Sequence, residues 1–215
     1  MEKVVKFEIK RLNLGCEWTV LAGFDNIDLV SSDPRVIKWD LNKGLPMYKD
    51  NSVDYVLFEH TIYYIKEPID LMKEIWRVCK DRAIVDLASI HFSMGLANAD
   101  MRIKSQGLSY FSFGNEHPVW NSELHGMFYV EFKKINFMRY KYTWINYIFN
   151  PLINKFPMFY ERFFAYIFPS SEVLFKLRVV KDKEKIKQAI KRLTPNDEIR
   201  LRYKGLERFK AIIRK

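Results

Sequence analysis

The chain has 215 residues and a net charge of +10, with 48% hydrophobic and 29% charged residues, proportions typical of one globular domain and not of a disordered chain. No run of about 18 uncharged apolar residues occurs, so we predict no transmembrane helix, and the start, MEKVVK, lacks the apolar core of a secretion signal. Only two cysteines are present, too few for a disulfide framework, and we expect a cytoplasmic protein.

Four short runs in the first 60 residues predict strands, at 10–14, 25–29, 36–39 and 54–58. The last of these, DYVLF, is mostly apolar, as is typical of a strand that is buried on both faces of a parallel sheet. Gly15 ends the first run.

A helix is predicted to open at Pro68, because proline suits the first helical position. Its apolar residues recur at spacings of three and four, at Ile69, Met72, Ile75, Trp76 and Cys79. Asp81-Arg82 then predicts a turn into a strand at 83–88. Strand, helix and strand in this order predict an α/β fold with a doubly wound, mostly parallel sheet.

The second half predicts two late strands, at 127–137 and 172–180, that complete a mixed sheet with an antiparallel edge. A helical insertion at about 138–170 separates them, and residues 137–168 contain 13 aromatic side chains. We expect this segment to pack on the sheet. The alternatives are a lid over an apolar or ring-shaped substrate and a surface patch for a membrane or a second subunit.

We assign residues 1–180 to one domain and residues 181–215 to a basic tail with helices at 183–193 and 198–213. The tail holds 13 Lys and Arg against 5 Asp and Glu, so it carries +8 of the net charge. A solvated helical face explains this composition, and non-specific contact with a polyanion is the alternative.

Candidate site residues follow the first strands, because ligands of open α/β sheets bind beyond the carboxyl ends of the strands. A glycine after the first strand lets the backbone approach a ligand, and an acidic residue that ends the second can accept hydrogen bonds from a ribose diol. The candidates are Gly15, Asp28, Asp40, Glu59 and His60. This layout suits a nucleoside but does not identify one.

Residues of about 11–90 resemble the type 11 domain of class I S-adenosylmethionine (SAM)-dependent methyltransferases. The motifs that carry the resemblance are LNLGCEW, NIDL, DLNKGLP, DNSVD and EHTIYYIKEPIDLMKEIWRVCK, in the order and spacing of a group with a shortened first loop. The resemblance implies SAM as cofactor, with Gly15 beside its methionine end and Asp28 on the ribose. It places Asp40 and Leu41 at the adenine, and Glu59 beside the transferred methyl group.

One residue departs from the pattern of that group. Glu17 replaces the second loop glycine, where its carboxylate would repel the carboxylate of SAM or hold its ammonium or sulfonium group. The short interval between Gly15 and Asp28 predicts that the first helix is missing or one turn long.

Two histidines, His60 and His91, end strands at the candidate edge and are candidates for acid–base catalysis, although a structural role is the simpler interpretation of each. The four histidines and two cysteines show no metal-ligand spacing, so we predict no metal site. We predict an enzyme that methylates a small molecule or a sugar hydroxyl. The alternatives are an RNA or DNA methyltransferase that uses the tail, and an inactive binding or assembly protein with the same fold.

Overall fold

The computed structural model describes residues 9–95, 100–104, 107–113, 122–124, 126–182 and 184. The predicted tail helices lie outside these residues, as do His117 and His125.

Within the described residues, seven strands form one sheet, which confirms the predicted fold class. They are β1 (Arg11–Leu14), β2 (Asp25–Asp28), β3 (Val36–Lys38), β4 (Val53–Glu59), β5 (Cys79–Ile90), β6 (Phe128–Asn136) and β7 (Glu172–Val179). Their order is β3-β2-β1-β4-β5-β7-β6, and β7 runs antiparallel to both of its neighbours. Strand order reverses between β1 and β4, which is where ligands of such sheets bind.

Three α-helices accompany the sheet in the described residues: α1 (Pro68–Val78), α2 (Asn146–Lys155) and α3 (Pro157–Phe163). Short 3-10 helices span Leu41–Lys43, Ile62–Tyr64, Ser122–Leu124 and Thr143–Ile145. Helix α1 begins at Pro68 as predicted and buries Leu71, Met72, Ile75 and Val78, at the spacings that place them on one face. Helices α2 and α3 form the predicted insertion between the last two strands.

Strand β5 is longer than predicted. It begins at Cys79, directly after α1, and the expected turn at Asp81-Arg82 is an irregularity inside the strand. Arg82 has a positive φ of 63°, and the register with β4 shifts between Val53 and Tyr55. The extra residues form a bulge. Strand β5 therefore pairs with β4 on both sides of Asp81-Arg82, although these residues are typical of a turn.

The first crossover contains no helix, as predicted from its length: residues 15–24 consist of turns. Two buried amides hold it against the sheet. Asn13 Nδ2 donates to the carbonyl oxygen of Thr19 at 2.8 Å and to Asn26 Oδ1 at 2.9 Å, while Asn26 exchanges two hydrogen bonds of 2.9 Å with the backbone of Leu21. Side-chain amides thus satisfy backbone groups that a helix would have paired internally.

Candidate functional site

Gly15 lies directly after β1 in a conformation that disfavours other residues. Its φ is +67°, and a Cβ atom built on it would lie 2.0 Å from Thr61 Oγ1. Its N–H donates to the carbonyl oxygen of Ile27 at 2.7 Å. The glycine is therefore required for close approach of the chain after β4, whatever else binds there.

Glu17 and Asp28 are joined across the same edge of the sheet. The N–H of Glu17 donates to Asp28 Oδ2 at 2.8 Å, and the N–H of Val30 donates to Asp28 Oδ1 at 2.9 Å. Glu17 has a φ of +46°, the left-handed region that a glycine adopts without strain. This backbone conformation costs more for a glutamate than for a glycine.

Asp40 caps the 3-10 helix that follows β3. Its Oδ1 accepts hydrogen bonds from the side chain and the backbone N–H of Asn42, at 2.8 and 3.0 Å, and these bonds hold the pKa of Asp40 below its usual range. Leu41 is buried in the core. The backbone N–H of Trp39 donates to the carbonyl oxygen of Asp28 at 2.9 Å, so this segment stays next to the end of β2.

Thr61 connects the first loop to the end of β4. Its hydroxyl lies within hydrogen-bond distance of the carbonyl oxygens of Gly15 and Glu59, at 3.2 and 3.0 Å. The side chain of Glu59 is exposed. Gly15, Glu17, Asp28 and Glu59 are therefore brought together where the strand order reverses.

His60 is paired with a carboxylate from the other end of the chain. Its Nε2 lies 3.0 Å from Glu172 Oε2, at the start of β7, and no described residue hydrogen-bonds its Nδ1. Glu172 also accepts a 2.7 Å hydrogen bond from Asn136 Nδ2 and lies 3.6 Å from Arg139 Nε. Burial acts to raise the pKa of Glu172, but the hydrogen bonds from His60 and Asn136 outweigh it and lower that pKa.

A cavity of about 100 Å³ lies beside this pair. Its polar and aromatic lining includes His60, Tyr63, Tyr64, Asp100, Arg139 and Tyr140. Tyr64 Oη donates to Asp100 Oδ2 at 3.1 Å, and the N–H of Lys104 donates to the carbonyl oxygen of Tyr63 at 2.8 Å. Residues 100–104 are thereby fixed against the turn that follows β4. The space is enough for a small group, or for one end of a larger molecule.

His91 is fully buried at the end of β5, away from the lining of this cavity. Its Nδ1 lies 2.7 Å from Ser93 Oγ and its Nε2 lies 3.1 Å from Glu161 Oε1. Glu161 also accepts hydrogen bonds of 2.6 Å from Ser109 Oγ and from the N–H of Tyr110. His91 thus anchors α3 to the end of the sheet.

The described residues contain no group of three or more His, Cys, Asp and Glu side chains that could hold a metal ion. None of their helices is long and apolar enough to cross a bilayer.

Comparison with known proteins identifies the fold. Residues 27–109, less than half of the chain, match the family described as methionine biosynthesis protein MetW. A SAM-dependent methyltransferase from Archaeoglobus fulgidus aligns with a TM-score of 0.51 and 14% identity over 79% of this chain and 86% of its own. The chain has the class I SAM-dependent methyltransferase fold.

Two further solved structures support this fold at similarly low identity. A SAM-dependent methyltransferase from Mesorhizobium loti aligns with a TM-score of 0.51 and 11% identity, over 79% of this chain and 90% of its own. A protein from Listeria monocytogenes described as a methyltransferase of the same type aligns with a TM-score of 0.50 and 12% identity, over 81% and 92%. No curated protein matches the chain.

Within this methyltransferase fold, sequence reasoning missed Thr61, Glu172 and Arg139. No local pattern marks them, because Glu172 meets His60 only after β7 has inserted beside β5. Three exposed apolar residues next to the predicted ribose site were also missed: Trp18, Leu29 and Val30. Leu29 and Val30 could have been found from the sequence, because they directly follow Asp28, the residue predicted to bind the ribose. Apolar side chains in such a position are candidates for contact with the same ligand.

Proposed function

We propose that the chain transfers a methyl group from SAM to a hydroxyl group of a small molecule or sugar, with His60 as general base. The observation that carries the proposal is the 3.0 Å contact between His60 Nε2 and Glu172 Oε2 beside a cavity at the carboxyl edge of the sheet. The fold of SAM-dependent methyltransferases supports the cofactor.

The residues at the strand-order reversal fit SAM chemically. Each oxygen of Asp28 accepts one backbone N–H, which leaves lone pairs for the ribose hydroxyls. Exposed Trp18, Leu29 and Val30 offer apolar surface for the adenine ring. The proposed cofactor residues remain Gly15, Glu17, Asp28, Asp40, Leu41 and Glu59, with Glu17 acting through its backbone N–H, which holds Asp28 in place.

Bound SAM supplies an electrophilic methyl group on a positively charged sulfur. The ionised carboxylate of Glu172 accepts a hydrogen bond from His60 Nε2–H, which fixes the tautomer in which Nδ1 is the basic nitrogen. Nδ1 takes the proton of the acceptor hydroxyl, and Glu172 stabilises the imidazolium that forms. His91, with both nitrogens bonded and its ring buried, is proposed to position α3 behind the site rather than to transfer protons.

The first test is calorimetric titration of the full chain with SAM and with its demethylated product. We expect a dissociation constant in the micromolar range, about −7 to −8 kcal/mol. Absence of binding at millimolar concentration would overturn the proposal that the chain is an enzyme. It would support the alternative, an inactive binding protein with the same fold.

The second test follows transfer of a radiolabelled methyl group from SAM to fractionated cell extracts containing small molecules, lipids or RNA. His60→Gln should keep SAM affinity within about twofold and lose labelling by about 10²–10⁴-fold. Tyr63→Phe, which removes a hydroxyl from the same cavity and leaves the base intact, is the matched control. Preferential labelling of RNA would instead favour the alternative function, an RNA or DNA methyltransferase.

A further inference from the structure

Helix α2 carries its polar stripe on the inside. Asn146, Asn150 and Asn154 recur every four residues and so lie on one face of the helix. Each accepts a backbone hydrogen bond of 2.7–2.8 Å from the end of β6, from the N–H groups, in order, of Met138, Phe137 and Ile135. Asn146 and Asn154 also donate to carbonyl oxygens there, those of Met138 and Ile135.

This amide ladder has a clear physical function. In the described part of the chain β6 is an edge strand of the sheet, and no described strand pairs with its outer row of backbone groups. Asn154 pairs with Ile135 in that row, Asn150 and Asn146 pair with the N–H groups of Phe137 and Met138 just beyond the strand, and together they fix the orientation of the helix. The opposite face of α2 is therefore directed away from the protein, and it is apolar: Tyr147, Ile148 and Leu152 are all exposed.

Exposed apolar side chains occur throughout the rest of the insertion as well. Among large apolar residues exposed in the described part of the chain, 13 lie between positions 140 and 168, against nine elsewhere. Besides the three on α2, they include Tyr140, Tyr142, Trp144, Phe163, Tyr166 and Ile167. An apolar surface of this size on a folded domain marks a place where something else binds.

The charges of the insertion are of one sign on the outside. Residues 138–168 contain four basic residues, Arg139, Lys141, Lys155 and Arg162, and one acidic residue, Glu161. The carboxylate of Glu161 is turned inward to His91, Ser109 and Tyr110. The outer surface thus combines tryptophan, tyrosine, aliphatic and cationic side chains with no carboxylate of its own.

We propose that the insertion, residues 138–168, is a docking face for an anionic lipid bilayer. Tryptophan and tyrosine favour the boundary between lipid and water, aliphatic side chains enter the acyl region, and Lys and Arg pair with anionic head groups. A second copy of the chain fits less well, since a symmetric dimer through this face would bring two sets of Lys141, Lys155 and Arg162 together.

The docking face continues into the cavity beside His60, because Arg139 and Tyr140 belong to both. If the proposed methyl transfer holds, the acceptor is then an amphiphile whose hydroxyl-bearing end enters the 100 Å³ cavity while its apolar part stays in the bilayer. This statement of substrate class rests on the proposed function, whereas the docking face does not.

Vesicle co-sedimentation of the full chain tests the docking face, with vesicles of pure phosphatidylcholine and vesicles containing 30% phosphatidylserine. We expect binding to the anionic vesicles, and at least tenfold weaker binding by the triple variant Tyr147→Ser, Ile148→Ser, Leu152→Ser. The double variant Tyr129→Ser, Phe132→Ser removes exposed aromatics from β6 and should stay within twofold of wild type. None of these changes alters charge, so any contribution of the basic tail is constant across the set.

Circular dichroism and a thermal melt establish that both variants remain folded, as their exposed positions lead us to expect. Equal binding by wild type and the folded triple variant would overturn the proposal, as would absence of binding to anionic vesicles. A wild-type dimer at micromolar concentration that becomes monomeric in the triple variant would also overturn it, in favour of a subunit interface. SAM binding measured on the same samples is unaffected by failure of docking, so the two proposals fail separately.

Discussion

The backbone N–H of Glu17 donates to the carboxylate of Asp28 over 2.8 Å, so the residue that departs from the family's glycine is also the one that caps the proposed ribose ligand. This bond comes from the backbone, so any residue at position 17 can form it. The left-handed conformation at position 17, in contrast, favours glycine.

Glu17→Gly should therefore stabilise the fold slightly. Removing a left-handed non-glycine conformation gains about 1–2 kcal/mol, and the greater flexibility of unfolded glycine offsets about 0.5–1 kcal/mol. We expect a net gain of about 0–1.5 kcal/mol in the free energy of unfolding, measured with denaturant, and SAM binding that is equal or tighter. Glu17→Ala removes the charge but keeps the strain, so it separates the two effects. A tenfold loss of SAM affinity in both variants would show that the carboxylate is a direct ligand.

Asp28→Ala should weaken SAM binding by about 1.5–3 kcal/mol, the usual range for hydrogen bonds to a charged group. Because the N–H groups of Glu17 and Val30 lose their acceptor at an exposed position, we expect the fold to survive with modest destabilisation. Asp33→Ala, a nearby carboxylate paired with Arg35, is the control and should leave the calorimetric affinity unchanged. Equal affinities of the two variants would mean that the ribose binds elsewhere.

Alanine substitutions at two glycines test the close contact between Gly15 and Thr61. Gly15 and Gly23 both have positive φ, but only at Gly15 would a Cβ atom meet another group, and it would do so at 2.0 Å. Gly23→Ala should cost about 1–2 kcal/mol for its backbone conformation alone. Gly15→Ala should cost a further 1–3 kcal/mol, roughly the penalty for overpacking. Similar unfolding free energies for the two variants would contradict the close contact.

Glu172 should make stability depend on pH. Its folded pKa lies below its unfolded value, so its contribution is present above the unfolded pKa of about 4.3 and is lost as pH falls through the folded pKa. Glu172→Gln should therefore reduce the free energy of unfolding by about 1–3 kcal/mol at pH 7, with a smaller difference at pH 3. Denaturant titrations of both proteins across this range measure it. A difference that grows on acidification would reverse the sign of the inferred pKa shift.

Asn150→Ala should cost about 1–3 kcal/mol, because it leaves the buried N–H of Phe137 without its 2.8 Å acceptor. Tyr147→Ala, on the outward face of the same helix, should change the unfolding free energy by less than about 0.5 kcal/mol. The reverse ranking would place the apolar side of α2 against the protein and remove the basis of the docking face.

Most of the fold could be predicted from the sequence, because strands and the helix at Pro68 arise from local patterns. The first loop could be predicted as well: the short interval between Gly15 and Asp28 leaves no room for a helix, and none forms. The position of strand β5 could be predicted but its ends could not, since its pairing with β4 continues past the turn residues Asp81-Arg82.

The tertiary structure alone decided the partner of His60. Glu172 lies 112 positions further along the chain and reaches the histidine only because β7 pairs antiparallel with β5. It also decided which face of α2 is turned inward. Helical spacing places Asn146, Asn150 and Asn154 on the side of α2 away from Ile148 and Leu152, but a preference for burying apolar groups would place the asparagines outside. The unpaired backbone groups at the free edge of β6 reverse that order, because leaving them without hydrogen bonds costs more than exposing apolar side chains.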